Sequence, residues 1–280
     1  GDKTSYEIND LGSDVQIIDQ IYKGKHDYNK ILEKSNKTLI LIGESVLNRN
    51  DGDGILGRLR EIAKKYNFYS NKWNGIGVLH TAANRVGALE AGFVPGKNGL
   101  CTEGILKSLK SNKIKLLWLL GYDEVIPKNN SESFIIYQGH HGDIGANSAD
   151  LILPGSAYTE KNATYINTEG RVQRTYASVP PPGNAKEDWK IIRAFSEYIN
   201  KILPYNNISQ LRARFEKINK NFNIENSIIK SDTNDIGDTS VKLSSSKIEP
   251  ANINYFMTCP ISRSSETMAK CTISKSKLDM

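Results

Sequence analysis

Short aliphatic runs recur along this chain, each closed by a glycine or a proline and separated by stretches of helical period. TLILIG (Thr38–Gly43) is the first, and Ile114–Leu120 stops at Gly121. Phe134–Tyr137 runs into a Gly/His loop, and Asp150–Leu153 stops at Pro154. Such runs are too short for helices. They are continuous rather than alternating, the mark of strands buried on both faces, as in a parallel sheet. Gly77–Leu79 reads as a weaker strand. Between the runs, Ile55, Leu56, Leu59, Ile62 and Ala63 recur at helical spacing through Tyr66, and Thr81–Ala91 and Ile105–Lys110 read the same way. Val15, Ile17, Ile18, Ile21 and Tyr22 suggest a short helix before the first strand. Strands alternating with helices give an α/β class with a mostly parallel sheet and flanking helices.

The text changes at Pro180-Pro181-Pro182-Gly183, where three prolines impose an extended connection. Two helices follow. Glu187 to Ile202 carries Trp189, Ile192, Phe195 and Ile199 on one face, and Ile208 to Ile218 carries Leu211 and Phe215. Residues 221–252 are polar and read as a linker or a surface-draped segment. Tyr255 to Cys271 regains apolar character. The chain is therefore divided into an α/β part, 1–183, and a helical extension, 184–280, with its linker and a C-terminal tail.

Composition excludes several classes. No stretch approaches the ~20 apolar residues of a membrane span, and three cysteines cannot build a disulfide framework. The start, GDKTSYEINDLG, lacks the apolar core of a signal peptide. The net charge is +6, but the densest basic stretch, Lys107 to Lys115, has no interleaved aromatic residues for stacking bases. A nucleic-acid partner is therefore not expected.

Chemistry-bearing residues are sparse. Cys101, Cys259 and Cys271 are far apart with no C-x₂-C, so spacing assembles neither a zinc site nor an iron–sulfur cluster. His140 and His141 are adjacent, and on an extended chain they would point to opposite sides. Between Gly139 and Gly142 they read as a tight loop with one ring packed and one exposed. The loop Asn48–Gly54 joins a strand to a helix but matches neither G-x-G-x-x-G nor a P-loop, and reads as a turn with an N-cap. Ser156, after Pro154-Gly155, is not in a G-x-S-x-G elbow. The densest polar stretch runs from Ala149 to Gln173. Glu160, Asn167, Glu169 and Arg171 cluster there beside a buried strand. Such groups need partners, and the residues alone leave a ligand and a loop tie equally open.

SADLILPGSAYTEKNATYINTEGRVQ resembles the signature of the molybdopterin oxidoreductases. FIIYQGHHGDIGANSADLILPG, GNAKEDWKIIRAFSE and the ending YFMTCPISRSSETMAKC are similar to the large iron–sulfur subunits of respiratory complex I, NADH:ubiquinone oxidoreductase. LIGESVLNRNDGDGILGRLREIAKK and VGALEAGFVPG fit that family in order. The resemblance is weakest at 221–252. It implies that residues 1–183 are the C-terminal part of a molybdopterin-oxidoreductase-like α/β domain. It also implies a structural, non-catalytic piece of the peripheral arm, on the matrix side of the mitochondrial inner membrane. Cofactors are expected in partner chains, as iron–sulfur clusters and flavin, and none in this chain. No catalytic, cofactor-binding or metal residue is assigned, and Asp150, Glu160, Asn167, Glu169 and Arg171 are expected to survive as scaffold. The expected partners are an N-terminal iron–sulfur fragment of the same subunit and other peripheral-arm subunits. The chain is expected to depend on that fragment for a complete sheet, through an obligate interface above ~2,000 Å².

Overall fold

The computed structural model describes residues 5–70, 73–124, 132–228, 235–249 and 253–278, with side chains to residue 275. The chain forms two compact units. The first comprises residues 1–86, 166–171 and 228–252, and the second comprises 87–165, 172–227 and 253–280.

In the first unit, α1 (Gln16–Tyr22) and α2 (Asn29–Lys34) precede β1 (Ile40–Gly43). A short α3 (Glu44–Leu47) leads to α4 (Gly52–Lys65). A short antiparallel pair follows, β2 (Tyr69–Ser70) with β3 (Trp73–Asn74), and then β4 (Ile76–Leu79). Strands β1 and β4 pair in parallel, with Ile40 opposite Ile76 and Ile42 opposite Val78. That register puts Ile40, Ile42, Ile76 and Val78 on one face, where they meet Ile21, Leu32, Ile62, Ala63 and Phe68. All three longer helices of the unit contribute to that single cluster.

The turn before α4 differs from the expected one. Helix α3 intervenes, and Asp51 occupies the N-cap position without capping. Its carboxylate instead accepts from Arg49 Nε (2.8 Å) and the Ser244 amide (2.9 Å). The polar stretch is also more than a linker, although 229–234 and 250–252 of it lie outside the described residues. Residues 235–249 form a strap along α4. Arg49, Arg58 and Arg60 donate to the strap carbonyls of Lys247, Val241 and Ile236. Leu243 is buried against Val15 and Ile55. Glycines make the groove: a Cβ at Gly54 would lie 2.7 Å from the Val241 oxygen, and one at Gly57 2.8 Å from Asp238 and Thr239 backbone.

The second unit takes up α5 (Arg85–Glu90) from its third residue and continues with α6 (Thr102–Lys110). Strands β5 (Leu116–Leu120), β6 (Phe134–Gly139) and β7 (Leu151–Pro154) form one parallel sheet in that order, with α7 (Ile144–Asn147) between β6 and β7. The central strand is buried from Ile135 to Gln138. Leu119, Ile135 and Tyr137 pack with Leu117, Tyr122, Ala146 and Ala149 on one face. A β8 (Ala163–Ile166) and β9 (Val172–Thr175) pair follows. The helices α8 (Asp188–Tyr198) and α9 (Ile208–Ile218) appear where their apolar spacing puts them. Phe195 of α8 meets Trp118 edge-on at 4.8 Å, so α8 covers the opposite sheet face. The tail adds α10 (Pro260–Arg263) and α11 (Glu266–Leu278). The class is α/β with parallel sheets flanked by helices, plus C-terminal helices. No helix among the described residues is long and apolar enough to cross a membrane.

Candidate functional site

Parallel sheets place ligands beyond the carboxyl ends of their strands. In the second unit, that position holds the loop after β6 and the residues after β7. Tyr137 fills the base. A Cβ at Gly139 or Gly145 would collide with its ring, so those two glycines make its seat. Its hydroxyl donates to buried Asp123 (3.0 Å) and also approaches the His141 carbonyl oxygen (3.1 Å). Burial and the Asp123 carboxylate push the phenol well above its ordinary range.

The histidine pair sits in the expected tight loop. The chain bends between Gly139 and Gly142, so the two rings face one another. Their Nδ1 atoms are 2.8 Å apart and the rings lie edge-on at 5.0 Å. His141 is half-buried and His140 more exposed, in line with one packed and one open ring. Partial burial of its ring, then the positive potential of His141 and Lys161, hold His140 below the usual imidazole value. The loop is anchored from the tail: Asp143 caps α7 at Ile144 and pairs with Arg263. Burial alone would raise Asp143, but Arg263 and the Ile144 amide hold it below its ordinary value.

Beside the loop, Gln138 Nε2 donates to Asp188 Oδ1 (3.0 Å), and Lys161 pairs with the other Asp188 oxygen. Gln138 Oε1 and Ser156 Oγ are buried without a hydrogen-bond partner among the described residues. Sequence reasoning passed over Gln138, Lys161 and Asp188, because only the fold brings the three together. An open cleft of about 420 Å³ is lined by Glu160, Asn162, Lys186, Glu187, Lys190 and the proline segment 177–181.

The polar signature is engaged locally. Asp150 accepts from the Ile135 amide (2.7 Å), fixing the start of β6. Glu160 accepts from the Ala157 amide (2.9 Å). Glu187 accepts from the Asn162 amide (3.0 Å) and pairs with Lys190. These hold it below its ordinary value although burial pushes it up. In the first unit, Asn167 accepts from the Arg171 amide (2.9 Å), and Arg171 pairs with Glu169 (3.0 Å) across a turn made by Gly170. Of the two readings left open by the residues, these bonds describe the loop tie.

A model of the molybdopterin oxidoreductases matches residues 2–198. The chain belongs to the molybdopterin oxidoreductase family. Residues 224–271 also match the model of the C-terminal region of the NADH-ubiquinone oxidoreductase G subunit. The chain is 43% identical over 272 residues to the NADH-ubiquinone oxidoreductase 75 kDa subunit of Reclinomonas americana, covering 96% of this chain and 38% of that protein. It is 41% identical over 280 residues to the mitochondrial 78 kDa subunit of Candida albicans, covering 96% and 37%. It is 38% identical over 284 residues to the NADH-quinone oxidoreductase G subunit of Rickettsia conorii, covering 100% and 40%. The chain thus spans about two fifths of the length of the curated relatives it matches.

Membership of the molybdopterin oxidoreductase family raises the question of a pterin. The described residues fit one poorly. An anionic pterin phosphate calls for an excess of free cations and amides, whereas in the cleft Glu160 and Glu187 balance Lys186 and Lys190, Lys190 is paired with Glu187, and the Ala157 and Asn162 amides are already engaged. None of Cys101, Cys259 and Cys271 lines the cleft. Among the described residues, no group of three His, Cys, Asp or Glu side chains is placed to hold a metal.

Proposed function

We propose that this chain is a structural, non-catalytic part of the large iron–sulfur subunit of a respiratory complex I. In this reading it belongs to the peripheral arm, on the matrix side of the mitochondrial inner membrane. The observation that carries the reading is the extent of likeness: three relatives named as this subunit match at least 96% of the chain. The internal engagement of the signature side chains supports the non-catalytic half. Asp150, Glu160 and Asn167 fix backbone amides, which is scaffold chemistry. Flavin and iron–sulfur clusters belong to partner chains and to the remainder of the subunit's length, whether joined in one polypeptide or separate.

Purification under gentle detergent followed by a native gel tests this. The chain should migrate with NADH-oxidising activity and with the iron–sulfur part of the subunit. Migration away from that activity overturns the reading. The rival, an accessory chain of a pterin-binding oxidoreductase, is favoured by the family match over 2–198. Near-stoichiometric molybdenum or tungsten in the purified protein would establish the rival, and their absence alongside NADH oxidation favours the first reading.

A further inference from the structure

Two of the four histidines in the chain are neighbours whose Nδ1 atoms lie 2.8 Å apart. Adjacent side chains on a straight strand point to opposite sides, so the approach is made by the bend after β6. That bend is pinned beyond the pair. The Tyr137 hydroxyl reaches the His141 carbonyl oxygen, and Asp143 holds both the Ile144 amide and the Arg263 guanidinium. All of these residues belong to the second unit. A contact between two Nδ1 atoms needs a proton on one and a lone pair on the other, so at least one ring is neutral. Partial burial, then the charges of His141 and Lys161, favour the neutral form of His140. The loop thus presents two imidazole nitrogens side by side, with the carboxylates of Asp188 and Glu160 near enough to favour a cation. Lys161 opposes one, but its ammonium is paired with Asp188.

We propose that His140 and His141 form a bidentate site for a divalent transition-metal ion of tetragonal geometry, with Cu(II) the best fit. Metal–imidazole bonds of about 2.0 Å meeting at a right angle span about 2.8 Å, whereas a tetrahedral angle spreads the same two nitrogens to about 3.3 Å. The gap found here is therefore the edge of a square plane. Zn(II) would have to open the pair by about 0.5 Å to reach its tetrahedron. Magnesium and calcium prefer oxygen ligands and are not suited to two imidazoles. Among divalent first-row ions, Cu(II) also binds nitrogen sites most strongly. No third His, Cys, Asp or Glu side chain joins the pair among the described residues, so solvent oxygens would complete the coordination. Binding needs a small rotation of the rings, which turns both Nδ1 lone pairs toward one point. The proton shared between the two Nδ1 atoms moves to Nε2 of its own ring, so a neutral pair takes up the ion without net proton release.

The test titrates Cu(II) into the oxidised protein as purified, with its partners, and follows the copper by electron paramagnetic resonance. The expected signal is tetragonal and coupled to two imidazole nitrogens. His140→Ala and His141→Ala should each weaken this class of copper by about tenfold or more, and His26→Ala, away from the pair, should leave it unchanged. Copper coupled to a single nitrogen, or a two-nitrogen signal that survives both variants, overturns the proposal. Zn(II) should displace the copper only in excess, and displacement at equal concentration overturns the tetragonal assignment. A measurement on the native protein covers the case of a variant that does not fold. Ascorbate and hydrogen peroxide oxidise histidines that hold copper, and mass spectrometry locates the product. Oxidation should fall on His140 or His141, and oxidation at His26 or His80 instead overturns the site. None of these outcomes touches migration with NADH-oxidising activity, so the site and the functional reading stand or fall separately.

Discussion

Strand β6 reads FIIYQG and strand β1 reads ILIG, two aliphatic runs ending in glycine, yet their surroundings differ. In β6 the residues Ile135 to Gln138 are all buried, with α7 on one side of the sheet and α8 on the other. In β1 only Ile42 is buried, while its neighbour Leu41 is more than half exposed. A run of apolar residues specifies a strand suited to burial on two faces. Whether both faces are covered depends on helices far away in sequence.

That contrast can be broken by mutation. Local stability is read by hydrogen exchange on the protein as purified. Ile135→Ala should give the largest effect, about 3 kcal/mol of lost protection across β5 to β7, because a fully buried aliphatic leaves a cavity. Leu41→Ala should change the exchange of β1 and β4 by under about 0.5 kcal/mol in the chain alone, as for an open surface position. Equal losses at the two sites would erase the distinction.

Next in size is the strap. Gly57→Ala places a methyl against the Asp238–Thr239 backbone. It should raise exchange and proteolysis within 235–249, at a cost of about 1–3 kcal/mol. Arg49→Ala should loosen the same segment by about 1–2 kcal/mol, removing the guanidinium that ties Asp51 to the strap carbonyls. The Arg49 guanidinium and the Ser244 amide hold Asp51 well below its ordinary value although burial opposes them. A depressed folded value means the contribution is complete above the unfolded aspartate value of about 3.9 and is lost as pH falls below it. Protection of the strap, corrected for the intrinsic exchange rate, should therefore fall on acidification below about pH 4, and this step should shrink in Arg49→Ala, where only the Ser244 bonds to Asp51 remain.

A small effect is also expected at the histidine loop. His140→Ala with His141→Ala removes an accessible imidazole pair without opening the Tyr137 seat, so a change within about 1 kcal/mol is expected by thermal unfolding. NADH oxidation by the assembled enzyme should be unchanged. A hundredfold fall with normal assembly would give these side chains a direct part in electron transfer.

Much of the architecture was legible from local pattern. The runs at 38–43, 114–120, 134–137 and 150–153 each contain a strand of the fold, and the spacing of Trp189, Ile192 and Phe195 marks α8. Thr81–Ala91 shrank to Arg85–Glu90, since the preceding residues turn to place Thr81 on Glu44 instead of continuing a helix. A surface-draped segment was one of the two readings of 221–252, but the helix it drapes over was not legible, because its anchors are backbone carbonyls, which carry no residue signature, and its groove is two glycines on another element. The tight histidine loop was legible from its flanking glycines, but the approach of the two Nδ1 atoms was not, because it depends on how the bend turns the rings.

By itself the sequence determined the period of each segment, and so the strands, the helices and the α/β class, because side-chain periodicity is a property of adjacent residues. Through its ordered motifs it also determined the family. Only the tertiary structure decided which polar groups are engaged and which apolar faces stay open. Asp150 could have met a ligand or the Ile135 amide, and Leu41 a core or solvent. Those outcomes depend on what the fold carries to within a few ångströms from distant parts of the chain.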